Sequence, residues 1–210
     1  MPRTTAQFAE IRHTRAGQIL DAARQVFAAQ GFHATRMSDI AQVAGVSQGT
    51  LYHYFRSKDE LFLAVLNTWN EQLKTIVTQL PNADLSATDK LWSINQIGAG
   101  FFEAGADLLP VLVEYWAYLL HNPTAAAGFR DFFVEMQGSF KKILQEGIAN
   151  GEFKAVDEDI VSALPLVVLD GLALLTSVLG KDIIQPLETL RQTQRLIFEG
   201  MLAGRQGKSV

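Results

Sequence analysis

Cysteine is absent from this 210-residue chain, which excludes disulfides and thiolate metal sites and fits a reducing compartment such as the cytoplasm. Histidine is scarce. His13, His33, His53 and His121 fall in separate segments without metal-ligand spacing, and no glycine-rich phosphate loop or nucleophile motif occurs. Nothing calls for a metal, a cofactor or an enzyme, and Glu114 with Asp170 would make an acid–base pair only if something oriented them. Strand-like alternation, internal repeats and low-complexity tracts are also missing. The first ten residues, MPRTTAQFAE, lack the continuous apolar core of a secretory segment. One stretch raises the membrane question, Ile160 to Gly180. Asp170 near its centre would cost roughly 2.5–3.5 kcal/mol mid-bilayer, and Pro165 interrupts it, so a helix buried in protein is the better reading and no membrane is expected.

What the chain does have is apolar residues at helical spacing. It is 48% hydrophobic and 19% charged, the composition of a globular protein with a real core. The net charge of −4 is unevenly spread. Residues 1–60 carry seven basic side chains against five acidic, and the remainder carries eleven against seventeen. A basic head on an acidic body suits a compact DNA reader whose second part avoids the phosphates.

The organising stretch is Met37 to Lys58, MSDIAQVAGVSQGTLYHYFRSK. Its spacing predicts a helix-turn-helix with the start of a further helix behind it. Gly45 stands at the turn, where positive φ is cheapest for glycine, and Ser47 is placed to cap the second helix. Ile40, Ala44, Val46, Leu51 and Tyr54 form one small core. Gln48, Gly49, Thr50 and His53 then point outward, a face of small and polar residues that a major groove accepts.

Along the chain, residues 1–13 read as a polar arm with arginines within reach of phosphates. A helix runs from Thr14 to Gln30 on Ile19, Ala23, Val26 and Phe27, ends at Gly31, and lets Phe32 tuck back onto its last turn. Thr35 or Ser38 caps the next helix and, at its N-terminus, can donate to a phosphate. Ser57 and Glu60 form a capping box opening a helix to about Leu80, with Leu61, Phe62, Val65, Trp69, Leu73, Ile76 and Leu80 as its buried stripe. That helix is the obvious route for a signal out of the head. The rest reads as helices at Asp84–Gly105, Asp107–His121, Asn122–Asn150, Glu158–Leu179 (capped by Asp157, kinked at Pro165) and from Pro186 onward, with a polar tail from Gly204. The last helix takes its stripe from Leu187, Leu190, Gln194, Ile197 and Met201. The fold class is therefore all-α with about nine helices, divided into residues 1–60 as a helix-turn-helix head and 61–210 as a helical body, for which the family resemblance given next implies ligand binding and dimerisation.

The stretch Ile19 to Leu66 resembles the DNA-binding head of the tetracycline-repressor (TetR) family. The resemblance rests on Phe27, Gly31 and Phe32, on Thr35, Ile40-Ala41 and Ala44-Gly45-Val46-Ser47, and on the run from Gly49 to Phe55 with Lys58-Asp59-Glu60-Leu61. It implies a homodimeric transcription factor, most often a repressor, that leaves a double-stranded DNA operator when a small molecule, here of unknown identity, binds the C-terminal part. It also implies that Gln48, Gly49 and Thr50 face bases, that Thr35, Tyr52, His53 and Lys58 hold phosphates, and that Ser47 caps the reading helix and touches the backbone. Gln can bond adenine twice and the Thr methyl can meet a thymine methyl.

In the body, aromatics and interior glycines are compatible with a cavity between helices. Candidate lining residues are Trp92, Phe101, Phe102, Tyr115, Trp116, Tyr118, Phe133 and Leu174, with Glu114 and Asp170 as polar anchors for a cationic or hydrogen-bonding ligand. The last two helices are the expected dimer seam, since the apolar residues of Val161 to Leu179 exceed what one buried face needs. Two rival readings are a DNA-binding dimer without an effector and an activator.

Overall fold

The computed structural model describes the backbone of residues 5–202 and the side chains of residues 14–202 except Pro110. Among these residues there is no strand. The chain forms α1 (Thr5–Ala34), α2 (Met37–Val43), α3 (Gln48–Tyr54), α4 (Lys58–Val77), α5 (Ala87–Ala104), α6 (Leu109–His121), α7 (Pro123–Ala149), α8 (Glu158–Leu179), the single turn α9 (Lys181–Ile184) and α10 (Pro186–Met201). Nine of these helices have seven residues or more, so the all-α expectation holds.

Local chemistry sets the boundaries. Gly31 takes φ 74° and breaks α1 near its end, and Phe32 folds back so that its ring lies 4.5 Å from that of Phe62 and 6.0 Å from Phe27. Gly45 takes φ 63° in the turn between α2 and α3. Ser57 Oγ accepts the Glu60 amide at 3.1 Å, and the Glu60 carboxylate reaches back to the Arg56 amide at 2.7 Å. Ser86 caps α5, and Asp157 Oδ1 accepts two amides at the start of α8. Prolines stand in the first turns of α6, α7 and α10, where a missing N–H costs nothing.

Several boundaries differ from expectation. The polar arm is helical from Thr5 onward, while residues 1–4, Arg3 included, and the tail from Gly204 lie outside the described residues. Helix α2 is entered at Arg36, not at Thr35 or Ser38. Asp39 supplies the acceptor, its carboxylate taking the Arg36 amide at 3.1 Å. The buried stripe of α4 runs Leu61, Phe62, Val65, Leu66, Leu73 and Val77. Ile76 is exposed because Val77, four residues after Leu73, takes the inward position, and Leu80 sits in a separate 3-10 turn. Phe153, in the loop after α7, forms an isolated backbone bridge with Leu202, and its ring fills the space left by Gly147.

The cores explain how the parts are joined. One apolar cluster gathers Ile19, Phe27, Ile40, Leu51 and Phe62 of the first four helices together with Leu108, Val111, Tyr115 and Leu119 of the α6 region. A second joins the end of α4 to α5, α7, α8 and α10 through Leu73, Leu91, Met136, Leu166 and Phe198. Helix α4 therefore belongs to both cores, and α6 is built into the first. Helix α8 is long and apolar enough to cross a membrane, yet Ser162, Leu166, Leu172, Ala173 and Thr176 are buried in the protein. Its other side is uncovered: Ile160, Val167, Leu174, Leu175, Val178 and Leu179 are all exposed.

Candidate nucleic-acid interface and ligand cavity

Helix α3 is held at one end by its cap and along one side by the core. Ser47 Oγ accepts the Thr50 amide at 3.0 Å and pairs with the Thr50 hydroxyl at 2.8 Å. Leu51 is fully buried, and Ala44, Val46 and Tyr54 pack around it. That anchoring leaves Ser47, Gln48, Gly49, Tyr52 and His53 exposed, with Thr50 half-buried beside them. These outward groups run along α3, with Ser47, Gln48 and Gly49 at its N-terminal end and His53 in its last turn. Ser38 is half-buried, and its hydroxyl bonds Asp39 at 3.1 Å.

Two residues named from the sequence as phosphate holders are placed otherwise. Lys58 Nζ donates to the carbonyls of Phe32 at 2.7 Å, Thr35 at 2.9 Å and His33 at 3.2 Å, and lies 4.5 Å from the centre of the Phe32 ring. An ammonium has three donors, so all of them go to the end of α1 and to Thr35 just beyond it. Thr35 is 2% exposed and gives its hydroxyl to Gly31 O at 2.7 Å. Both side chains shape the joint between α1, α2 and α4; neither presents a free donor to a ligand.

In the body a mainly apolar cavity of about 80 Å³ lies between α4, α5, α6, α7 and α8. Of the residues expected there, Phe101, Phe102, Phe133 and Asp170 line it, joined by Leu66, Trp69, Asn70, Leu73, Leu112 and Phe129. The others are elsewhere. Trp92 packs on Phe198 of α10, Trp116 on Phe129, and Tyr118 against Phe62 of α4; Leu174 is on the uncovered side of α8. Tyr115 is buried next to the cavity, hydrogen-bonded to Asn70, and burial pushes its hydroxyl up to about 12. Asp170 is pushed up to about 6 by burial alone. Glu114 does not line the cavity and turns to the head instead. Its carboxylate accepts the Phe32 amide of α1 at 2.6 Å, and sequence spacing could not reveal this because the partner is 82 positions away.

Comparison with known proteins bears on both halves. The family of bacterial regulatory proteins of the tetR type matches residues 19–65, the span whose geometry has just been given. The HTH-type transcriptional regulator YfiR of Bacillus subtilis is 30% identical over 151 residues, covering 70% of this chain and 72% of that protein. This chain belongs to the TetR family. A second TetR-type relative, the transcriptional repressor KstR2 of Mycolicibacterium smegmatis, is 29% identical over 70% of this chain and 72% of its own. A TetR regulator structure from Haloarcula marismortui shares the fold, with a TM-score of 0.79 over 90% of this chain and 99% of that one at 22% identity. The chain is thus a helix-turn-helix, DNA-binding transcriptional regulator of the TetR family.

Within this TetR-family fold the head is tied to the body at points other than α4. Arg24 of α1 donates to Ala104 O at 2.7 Å and to Asp107 at 2.8 Å, and its guanidinium lies 5.4 Å from the centre of the Trp69 ring. Trp69 itself lines the cavity, close against Gly105, where a Cβ would meet its ring at 2.8 Å. With Glu114 at the α1 break, two bridges and the shared core connect cavity-lining helices to α1. Sequence reasoning missed this route, since it follows amphipathic stripes and these links are single polar side chains.

Proposed function

We propose that this chain is a ligand-responsive repressor that binds a palindromic operator as a homodimer and releases it when a small molecule fills the cavity of the body. The observation that carries the reading is that the cavity shares its walls with the head. Leu66, Trp69, Asn70 and Leu73 line it from α4, and the same helix sends Leu61, Phe62 and Val65 into the core under the reading helix. An occupant that favours one spacing of these helices shifts the population of head positions. Residues 1–60 act as the DNA-binding unit and 61–210 as the sensing and dimerising unit, working in the cytoplasm where the DNA is. Gln48, Gly49 and Thr50 read bases, Tyr52, His53 and Ser38 meet the backbone, and Ser47 caps the reading helix. Lys58 and Thr35 hold this surface in place from behind.

The uncovered face of α8 supports the dimer. Ile160, Val167, Leu174 and Val178 recur along one line of that helix, and a self-complementary apolar face closes on a second copy by two-fold symmetry. Such a dimer sets two reading helices about 34 Å apart, one turn of the double helix. The experiment is selection of genomic fragments by the purified protein at fixed moderate salt, followed by sequencing and a reporter assay. A palindromic site whose promoter falls silent in the presence of the protein is the expected result. Weak, sequence-blind binding or rising transcription overturns the respective half of the reading.

A further inference from the structure

We infer that the cavity takes a small organic cation, an ammonium group on an aromatic or aliphatic body, seated with its charge against Asp170. This rests on reading the cavity as the effector site and narrows what the effector is.

Among the described residues lining the cavity, only Trp69, Asn70 and Asp170 carry polar side-chain atoms, and Asp170 is the only charged one. Asn70 is already bonded to the Tyr115 hydroxyl. Asp170 has neither a hydrogen bond nor an ion pair among the described residues; burial alone acts on its acidity. Asp170 is only partly exposed; a carboxylate largely drawn out of water without a partner is unfavourable, and an apolar ligand leaves it so. A ligand with its own carboxylate makes matters worse by like-charge repulsion. An ammonium supplies the missing counter-charge, and the remaining wall suits its substituents, because the faces of Trp69, Phe101 and Phe133 attract cations and apolar groups alike. Arg24 does not compensate Asp170 from behind Trp69, since its guanidinium is paired with Asp107 and Ala104 O. The approximate 80 Å³ of room holds several water molecules, so the fit is to a compact ligand, not a long chain.

Three probes of matched size separate the alternatives: phenethylammonium, 2-phenylethanol and 3-phenylpropanoate, titrated calorimetrically at pH 7.5. The full-length protein is compared with Asp170→Asn, with Asp170→Glu, and with Asp84→Asn as an exposed control. The cation is expected to bind the native protein at least about tenfold tighter than the alcohol, with the carboxylate weakest. That preference disappears in Asp170→Asn, while affinity for the alcohol stays, returns in Asp170→Glu, and is unchanged in Asp84→Asn. Equal or tighter binding of the alcohol or the carboxylate overturns the cation assignment and leaves the effector reading intact. A cation preference that survives Asp170→Asn overturns it too. Failure of all three probes to bind also overturns it, and release of the operator by any other compound then still supports the effector reading.

Discussion

In the head, Arg24 Nε alone among the described residues is buried without a hydrogen-bond partner; in the body, Thr176 Oγ1 and Gln194 Oε1 are buried without one and the Asp170 carboxylate has none either. Lys58 gives its donors to three carbonyls, Glu114 takes the Phe32 amide, Thr35 closes on Gly31 O, and Ser47 and Ser57 cap their helices. The apolar part of the head is equally complete, with Ile19, Phe27, Ile40, Leu51 and Leu61 fully buried. The body combines a cavity, a carboxylate without a partner and an uncovered apolar helix face. A surface that must match DNA gains from having one geometry. On the proposed function, the body must respond to another molecule, and the cavity and the uncovered face of α8 are where such interactions would be made.

The contrast is open to attack, most forcefully through its apolar side chains. Phe27→Ala removes a fully buried ring and is expected to lower stability by about 3–5 kcal/mol, whereas Phe133→Ala, at the cavity wall, should lose well under half as much. Urea denaturation of the two variants measures this, and equal losses would remove the distinction between a closed core and an open one. Next in size is Lys58→Met, expected to lower stability by about 2 kcal/mol as the charge-assisted bonds go. Operator affinity falls with it, yet the slope of affinity against salt stays the same. A phosphate contact would instead reduce that slope by about one.

A smaller effect of opposite sign is expected at Asp170. Its carboxyl titrates at about 6 in the folded chain against 3.8 unfolded. Below pH 3.8 both states hold the proton and the residue makes no difference. Between 3.8 and 6 the unfolded chain ionises first, so folding loses stability, and above 6 the loss is complete. Asp170→Asn should therefore raise the unfolding free energy at pH 7.5 by about 1–2 kcal/mol after allowance for partial exposure, and raise it much less at pH 4.5, as urea denaturation at the two pH values would measure. A gain independent of pH would mean that the carboxylate is not the cause. The smallest effect belongs to Glu114→Gln, which keeps an acceptor but removes its charge. Stability should change by under about 1 kcal/mol, while hydrogen exchange at the Phe32 amide quickens several-fold; unchanged exchange would show that the bridge does not hold the α1 break.

Much of the head was legible from sequence because its determinants are local. Gly31 and Gly45 mark positive φ, Ser47 and Ser57 stand at cap positions, and Ile40, Val46 and Leu51 follow from spacing within a few turns. Lys58 shows the limit: its type and place at a helix start suggest a phosphate, and only the folded chain brings the end of α1 within its reach. In the body, helix order was readable and the choice of lining residues only in part, Phe101, Phe102, Phe133 and Asp170 alone of those named standing in the cavity wall. Periodicity says that Trp92, Tyr118 and Phe133 are each on an apolar face, but which neighbouring helix covers that face depends on distant contacts. Glu114 and Asp170 looked alike in sequence for the same reason, one facing the head and one the cavity.

The position of Trp69 has an optical consequence. The chain has three tryptophans, and only this one lies in the cavity wall, with the Arg24 guanidinium of α1 over the same ring. Indole emission responds to nearby charge and to the polarity around it. With Trp92 and Trp116 changed to phenylalanine, the remaining fluorescence would record the filling of the cavity and any withdrawal of α1 in a single spectrum. The order of those two events could then be timed in solution without attaching a label.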